Sequence, residues 1–348
     1  MSKIPAANGG SLSSRAPSRV ASISEVAKRA GVSIATVSRI VNGIQNKAAA
    51  GTVLRVQKAI ADLGYRPHGV GRALRRRESR IVALLAANLA NPTMTAIAAS
   101  AEEALRRAGY VMVLCDTHDR ADLQDEYLLE MRAQWVKSVV LLGAVASPQL
   151  EAFVAAGEEL LFVNRRCPGH TDAPFVGIDN AAAGAEVARF FLGRHISDAA
   201  VIHGPLSSSA TAERVAAFRN TMARAGYRMS ARQIATAEGT DHLAIGYRGM
   251  ERLLAAGILP KGLFCASDLI AYGAFRRARE QKIDLPRVAT VVGFDDNPLN
   301  GWVAPWLSSV RVPYAEFGEA IVQSLTAATA SPAPKVLVHQ LIVRPEPG

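Results

Sequence analysis

The sequence predicts an all-α N-terminal head followed by an α/β core of two doubly wound lobes. Short amphipathic segments with tight turns fill residues 23–65, whereas from Ile81 onward short apolar runs alternate with longer amphipathic stretches. A length of 348 residues exceeds one ordinary domain. Charge divides at nearly the same place. The chain carries +10 overall, yet residues 1–80 hold 15 Lys and Arg against Glu25, Asp62 and Glu78, and the remainder is slightly acidic. A polyanionic partner rewards such a basic end through counterion release.

Residues 1–21, rich in Ser, Ala, Pro and Gly, read as a flexible basic tail. In the head, residues 22–67, Ile23, Val26, Ala27 and Ala30 form one apolar stripe that ends at Gly31, a residue suited to a left-handed helix end. Ser33 fits the N-cap of a second helix with Thr36, Val37, Ile40 and Val41. A third helix turns Val53, Val56, Ile60 and Leu63 inward and ends at Gly64, and Pro67 closes the unit. Residues 68–79, with Arg72, Arg75, Arg76 and Arg77, form a basic linker.

The core's apolar runs include Ile81–Ala86, Tyr110–Leu114, Ser138–Leu142, Leu160–Val163, Ala199–Ile202, Gly262–Cys265 and Ala289–Gly293. Helical patterns such as Thr95–Ala108, Ala181–Leu192, Glu213–Ala225 and Leu269–Glu280 separate them. Strands buried on both faces and linked by helices imply parallel sheets with right-handed crossovers. About ten strands exceed one comfortable sheet, so two lobes with a cleft between them are expected.

In the head, Val26, Ala27 and Val37 pack two helices across the turn at Gly31, which leaves Ser33, Ile34, Ala35, Thr36, Ser38, Arg39 and Asn42 facing outward. Hydroxyls at a helix N-terminus suit phosphates, and Arg39 can reach a guanine edge. The stretch from Glu25-Val-Ala through Ala30-Gly-Val-Ser33, then Thr36-Val-Ser-Arg39 and Asn42, closely resembles the helix-turn-helix head of the lac repressor (LacI/GalR) family. Leu63-Gly-Tyr-Arg-Pro67 and Arg72-Ala-Leu74 resemble its following helix end and hinge. The resemblance implies that Ile34, Ala35 and Arg39 enter the major groove, that Ser33, Thr36, Ser38 and Asn42 hold phosphates, and that Leu74 wedges into the minor groove. Gly69 and Gly71 depart from a good hinge helix, and Ala48-Ala-Ala-Gly51 lacks the usual Ser/Thr cap of the third helix.

By the same resemblance the core is periplasmic-binding-protein-like, with an N-terminal lobe of residues 80–179 and 312–330 and a C-terminal lobe of residues 180–311 and 331–348. Polar groups follow several strands: Asn91-Pro92, Asn164-Arg165-Arg166, Gly204 through Ser209 leading to Thr211 and Arg214, Ala266-Ser-Asp268 and Gly293-Phe-Asp-Asp296. Open α/β sheets bind ligands at such carboxyl edges. The expected effector contacts are Asn91, Thr93, Arg165, Arg214, Ser267, Asp295 and Tyr314, with a sugar or sugar acid as the expected ligand. Arg165 and Arg214 have an inter-lobe ion pair as their alternative role. Asp268 and Asp296 are expected to cap helices or brace the lobes, and Trp302 and Trp306 to serve as core or dimer contacts. Ser267 stands where many members have Asn, and Thr93-Met94 replaces the aromatic pair that usually follows Asn-Pro.

The rival class is a sugar- or nucleotide-processing enzyme on a two-lobed α/β fold. No Gly-x-Ser-x-Gly elbow, phosphate loop or metal-spaced histidine set occurs, so no catalytic residue, cofactor or metal is expected. Cys115, Cys167 and Cys265 read as buried thiols. No signal-like segment or membrane-length apolar run occurs, and a cytoplasmic location is expected. The expected assembly is a homodimer on a pseudo-palindromic double-stranded operator. No leucine heptad precedes Gly348, so a tetramer through a coiled coil is not expected.

Overall fold

A computed structural model describes residues 21–41, 48–65, 79–327 and 333–345. The chain divides into two compact units, residues 1–78 and 79–348.

The first unit begins with helix α1 (Ile23–Ala30), whose start is set by a capping box. Ser22 Oγ accepts from the Glu25 amide, and the Glu25 carboxylate accepts from the Ser22 amide at 2.7 Å. Gly31 takes φ 65°, the left-handed value that ends α1 sharply. Ser33 Oγ then accepts from the Thr36 amide at 3.2 Å and starts α2 (Ile34–Val41). Helix α3 (Ala50–Leu63) follows Ala49, which offers no side-chain cap. Val26, Val37, Ile40 and Val56 are buried between the three helices. Each contributes about 1.5–3 kcal/mol of burial, which a unit this small needs.

The second unit holds two six-stranded sheets. One contains β1 (Ile81–Ala86), β2 (Val111–Asp116), β3 (Ser138–Leu142), β4 (Leu160–Val163), β5 (Phe175–Ile178) and β11 (Lys335–Leu337), in the order β11-β5-β4-β3-β1-β2. The other contains β6 (Ala199–Ile202), β7 (Ile234–Ala235), β8 (Gly262–Cys265), β9 (Thr290–Asp295), β10 (Ser308–Arg311) and β12 (Gln340–Ile342), in the order β12-β10-β9-β8-β6-β7. Every pairing is parallel except β10 with β12. Both orders reverse beside their first strand, at β1/β3 and β6/β8, where ligand crevices form in doubly wound sheets.

The chain passes between lobes after β5, after β10 and after β11. Helix Tyr314–Leu325 packs on helix Pro92–Arg107 in the first lobe. The expected assignment of residues 331–348 to the second lobe needs one correction. Lys335–Leu337 pairs in parallel with β5, so the last crossing lies at Val338-His339. Register decides this: Val336 lies against Gly177 and extends the first sheet by one edge strand.

Candidate functional site

On the head, Ile34 is 52% exposed, and Ser33, Ala35 and Arg39 are also exposed. Thr36 is half-buried, its hydroxyl 2.9 Å from that of Ser33. Ser38 departs from expectation: it is buried within the helical unit, because it lies one turn from Val41 and beside Val37 on the inward side of α2. Asn42 and Leu74 lie outside the described residues.

In the core, residues at the carboxyl ends of six strands converge on one cleft that is open to solvent. From the first lobe come Asn88, Asn91, Thr93 and Met94 after β1, Asp119 after β2, and Asn164 and Arg165 after β4. From the second come Ser208, Thr211 and Arg214 after β6, Ala266 and Ser267 after β8, and Asp295 at the end of β9. Thr240 and His242 join them at the start of helix His242–Ala255. The cleft thus contains six of the seven residues expected to contact an effector. Tyr314 stands behind the lining instead and donates to the Asp295 carbonyl at 2.6 Å, with Thr93 Oγ1 3.4 Å away.

Local structure explains these positions. Asn91 caps helix Pro92–Arg107 by accepting from the Thr93 amide at 3.0 Å, which turns Thr93 toward the other lobe. Arg214 lies on helix Ser209–Arg224, which meets helix Asn180–Gly193 at Gly184. A Cβ at Gly184 would lie 2.0 Å from the Arg214 carbonyl, so only glycine permits that approach. Asp295 adopts φ 109°, a strained value for a residue with a side chain. Asp296 turns the other way, accepting from Arg311 and Arg344 at 2.7 Å each, and ties β9 to β10 and the C-terminal segment. Asp268 also braces the fold, accepting from Ser309 Oγ, the Asn297 amide and Asn300 Nδ2 at 2.6–2.8 Å.

Burial sets the electrostatics. The Arg214 guanidinium donates to the carbonyls of Ala210 and Ala266 and to Asn180 Oδ1, and lies 3.4 Å from the Phe294 ring centroid. Burial lowers its pKa to about 10, with Asp295 opposing. Burial pushes the Asp295 carboxyl up to about 6 against the pull of Arg214 and a Thr93 hydrogen bond. His242, 2.8 Å from Ser267 Oγ, is held down to about 4 by burial and then by Arg165 and Arg214, so its ring is neutral near pH 7.

Asp119 and His242 carry no signal in the sequence. Asp119 reaches the cleft through a loop where His118 and Asp119 take φ 51° and 58°, and it grips Arg165 at 2.5 and 3.4 Å. Arg165 is therefore paired within its own lobe. Among the described residues an ion pair that does span the lobes is Arg166–Glu213, at 3.3 Å, beside a bond of 2.8 Å from the Arg166 amide to Ser209 Oγ. Trp302 is 87% exposed, whereas Trp306 packs on Phe275. Cys167 and Cys265 are buried and Cys115 is half-buried. Among the described residues no helix is long and apolar enough to cross a membrane, and no cluster of potential metal ligands occurs.

Comparison with known proteins agrees with this two-part arrangement. Residues 22–68 match the bacterial regulatory proteins of the lacI family, and residues 188–345 match a periplasmic binding protein-like domain. The chain is 28% identical over 331 residues to the HTH-type transcriptional regulator RegA of Clostridium saccharobutylicum, covering 93% of this chain and 98% of that protein. It is 28% identical over 302 residues to the HTH-type transcriptional repressor PurR of Proteus mirabilis (strain HI4320), covering 86% and 88%. Among solved structures, the transcriptional regulator CelR–cellobiose complex superposes with a TM-score of 0.69 at 26% identity, over 94% of this chain and 100% of the other. The lac repressor dimer bound to operator and the anti-inducer ONPF shares the fold, with a TM-score of 0.77 at 22% identity over 94% and 99%. These relatives are transcriptional regulators, which sets the enzyme reading aside. The chain thus joins a lacI-family helix-turn-helix head to a periplasmic-binding-protein-like core, and the transcriptional regulators it resembles span nearly its whole length.

Proposed function

We propose that the chain is a cytoplasmic homodimeric repressor that binds a pseudo-palindromic operator, with affinity controlled by a small polar effector, a sugar or sugar acid, held between the core lobes. The observation that carries this reading is the convergence on one cleft of two arginines, two carboxylates and neutral hydroxyl and amide groups drawn from both lobes. A ligand that bonds to both lobes favours one arrangement of them over another, and operator and effector then alter each other's affinity by one common factor. The likeness to CelR, solved with cellobiose, supports a sugar.

In this reading Ile34, Ala35 and Arg39 meet base edges, and Ser33 and Thr36 meet phosphates. Asn42 and Leu74 contribute from outside the described residues. Asn91, Thr93, Arg165, Arg214, Ser267 and Asp295 contact the effector, and Tyr314 holds Asp295 in place.

Selection from a randomised duplex pool tests the head. The full chain recovers two half-sites related by a two-fold axis. Arg39→Ala, its fold checked by circular dichroism, recovers no preferred sequence. An Arg39→Ala protein that enriches the same operator removes the base-reading assignment.

A further inference from the structure

We propose that the effector carries no net charge, being a compact polyhydroxylated molecule, and that Asp119 sets this preference by neutralising Arg165. The inference rests on reading the cleft as the effector site and narrows the ligand class within that reading.

Four ionised side chains line the cleft: Arg165, Arg214, Asp119 and Asp295. They comprise two cations and two anions, and His242 adds no charge near neutral pH. Neither cation is in surplus. Arg165 presents two nitrogens to the Asp119 carboxylate, and both partners are almost wholly buried, with side chains 13% and 12% exposed. Arg214 already donates to three acceptors, lies on the Phe294 ring and faces Asp295. Beside them, Arg166 is matched by Glu213.

A carboxylate or phosphate entering this space has two courses. It displaces Asp119 from Arg165, which strands a nearly buried carboxylate, or it settles beside Asp295 and meets a like charge at low dielectric. A cationic ligand meets the converse problem at Arg165 and Arg214. Burial keeps the Asp295 carboxyl above its ordinary range against the pull of Arg214.

The remaining polar lining suits hydroxyl groups. Asn88, Asn91, Asn164, Thr211, Thr240 and Ser267 carry groups that donate and accept alike. No Phe, Tyr or Trp side chain lines the cleft among the described residues, and its apolar surface comes from Met94, Pro205 and alanines. A nucleobase would find no large aromatic platform there, only the His242 imidazole, which is already held by Ser267.

Titration calorimetry on the full chain tests this with matched ligands: glucose, glucuronate and glucose 6-phosphate; galactose and galacturonate; ribose and ribose 5-phosphate; cellobiose and cellobionate. In the series that binds, the neutral member is expected to bind at least about tenfold tighter than its anionic counterpart. Asp119→Asn frees Arg165 and moves that ratio toward the anion by about tenfold or more, and Asp119→Glu retains the neutral preference. An anion that binds the parent protein as tightly as its neutral counterpart overturns the proposal while leaving the effector reading intact. An unchanged ratio in a folded Asp119→Asn protein overturns the role of Asp119. A blank across the whole panel overturns both the proposal and the sugar reading it rests on. The ratio in the parent protein decides the charge claim even where the variant does not fold.

Discussion

Replacing Asp268 with alanine separates a brace from a ligand contact. The Asp268 carboxylate is 1% exposed and accepts three hydrogen bonds, from the Asn297 amide, Asn300 Nδ2 and Ser309 Oγ. It also lies against Gly293, where a Cβ would come within 2.1 Å of Oδ1, so the strand end is shaped around this side chain. Alanine leaves three buried donors without an acceptor, each costing about 1–3 kcal/mol. The low end of that range already totals about 3 kcal/mol. For a core of this size each kcal/mol moves Tm by about 2–4 °C, so a fall of roughly 6–12 °C is expected. Differential scanning calorimetry of parent and variant reads this directly. A Tm within about 2 °C of the parent, joined with lost effector binding, would refute the bracing role and make Asp268 a ligand contact instead.

Two further substitutions probe packing and charge. Gly184→Ala drives a methyl into the Arg214 carbonyl, 2.0 Å from an ideal Cβ, and should destabilise the core by about 1–3 kcal/mol in a urea titration. A neutral result there would mean that the two helices separate freely. His242 is held down to about 4 in the fold, against an ordinary value near 6.5. Its contribution to stability is therefore present above pH 6.5 and is lost as pH falls from there through 4. The loss amounts to at most about 3.5 kcal/mol, because each pH unit between those two values is worth about 1.4 kcal/mol. His242→Asn should flatten the stability profile across that window, and a profile parallel to the parent's would refute the buried neutral imidazole.

The strands most legible in the sequence are those buried on both faces. Ser138–Leu142, Leu160–Val163, Ala199–Ile202 and Gly262–Cys265 coincide with continuous apolar runs because helices cover both sides of each sheet. Edge strands leave a weaker trace. Lys335–Leu337 and Gln340–Ile342 are short and partly exposed, and β10 opens with Ser308-Ser309, whose hydroxyls serve Arg344 and Asp268. Helix starts are obscured for a chemical reason. Asn91, Asp179 and Ser208 cap helices through their side chains, and such residues look like loop in a periodicity reading. In the site, polar residues that follow strands are legible because the fold sends every such position to one edge. Asp119 and His242 are not, since their partners, Arg165 and Ser267, are 46 and 25 residues away and meet them only in space. Ser38 shows the reverse case, where a hydroxyl suggests a phosphate contact although the helical face turns it inward.

The two lobes are already joined by bonds that involve only the chain, and this constrains how an effector works. Tyr314 ties the first lobe to the Asp295 carbonyl, and Arg166 meets Ser209 and Glu213 across the opening. An effector shifts the lobes only by the difference between its free energies in their two arrangements, so filling the cleft is not enough. The rim pair is a weak holder. Its side chains are 32% and 31% exposed, and burial raises the Glu213 carboxyl against the pull of Arg166. Solvent-screened pairs of this kind contribute about 0–1 kcal/mol. Asp295 differs, since its carboxylate is buried beside Arg214 and its backbone is fixed in a strained conformation by Tyr314. Arg166→Ala should therefore change affinity for a ligand of the cleft by no more than about fivefold, the equivalent of 1 kcal/mol, whereas Asp295→Ala should abolish measurable binding. Calorimetry with both variants decides between rim and floor. A change beyond about thirtyfold in Arg166→Ala, with Asp295→Ala still binding, would place control of closure at the rim pair instead.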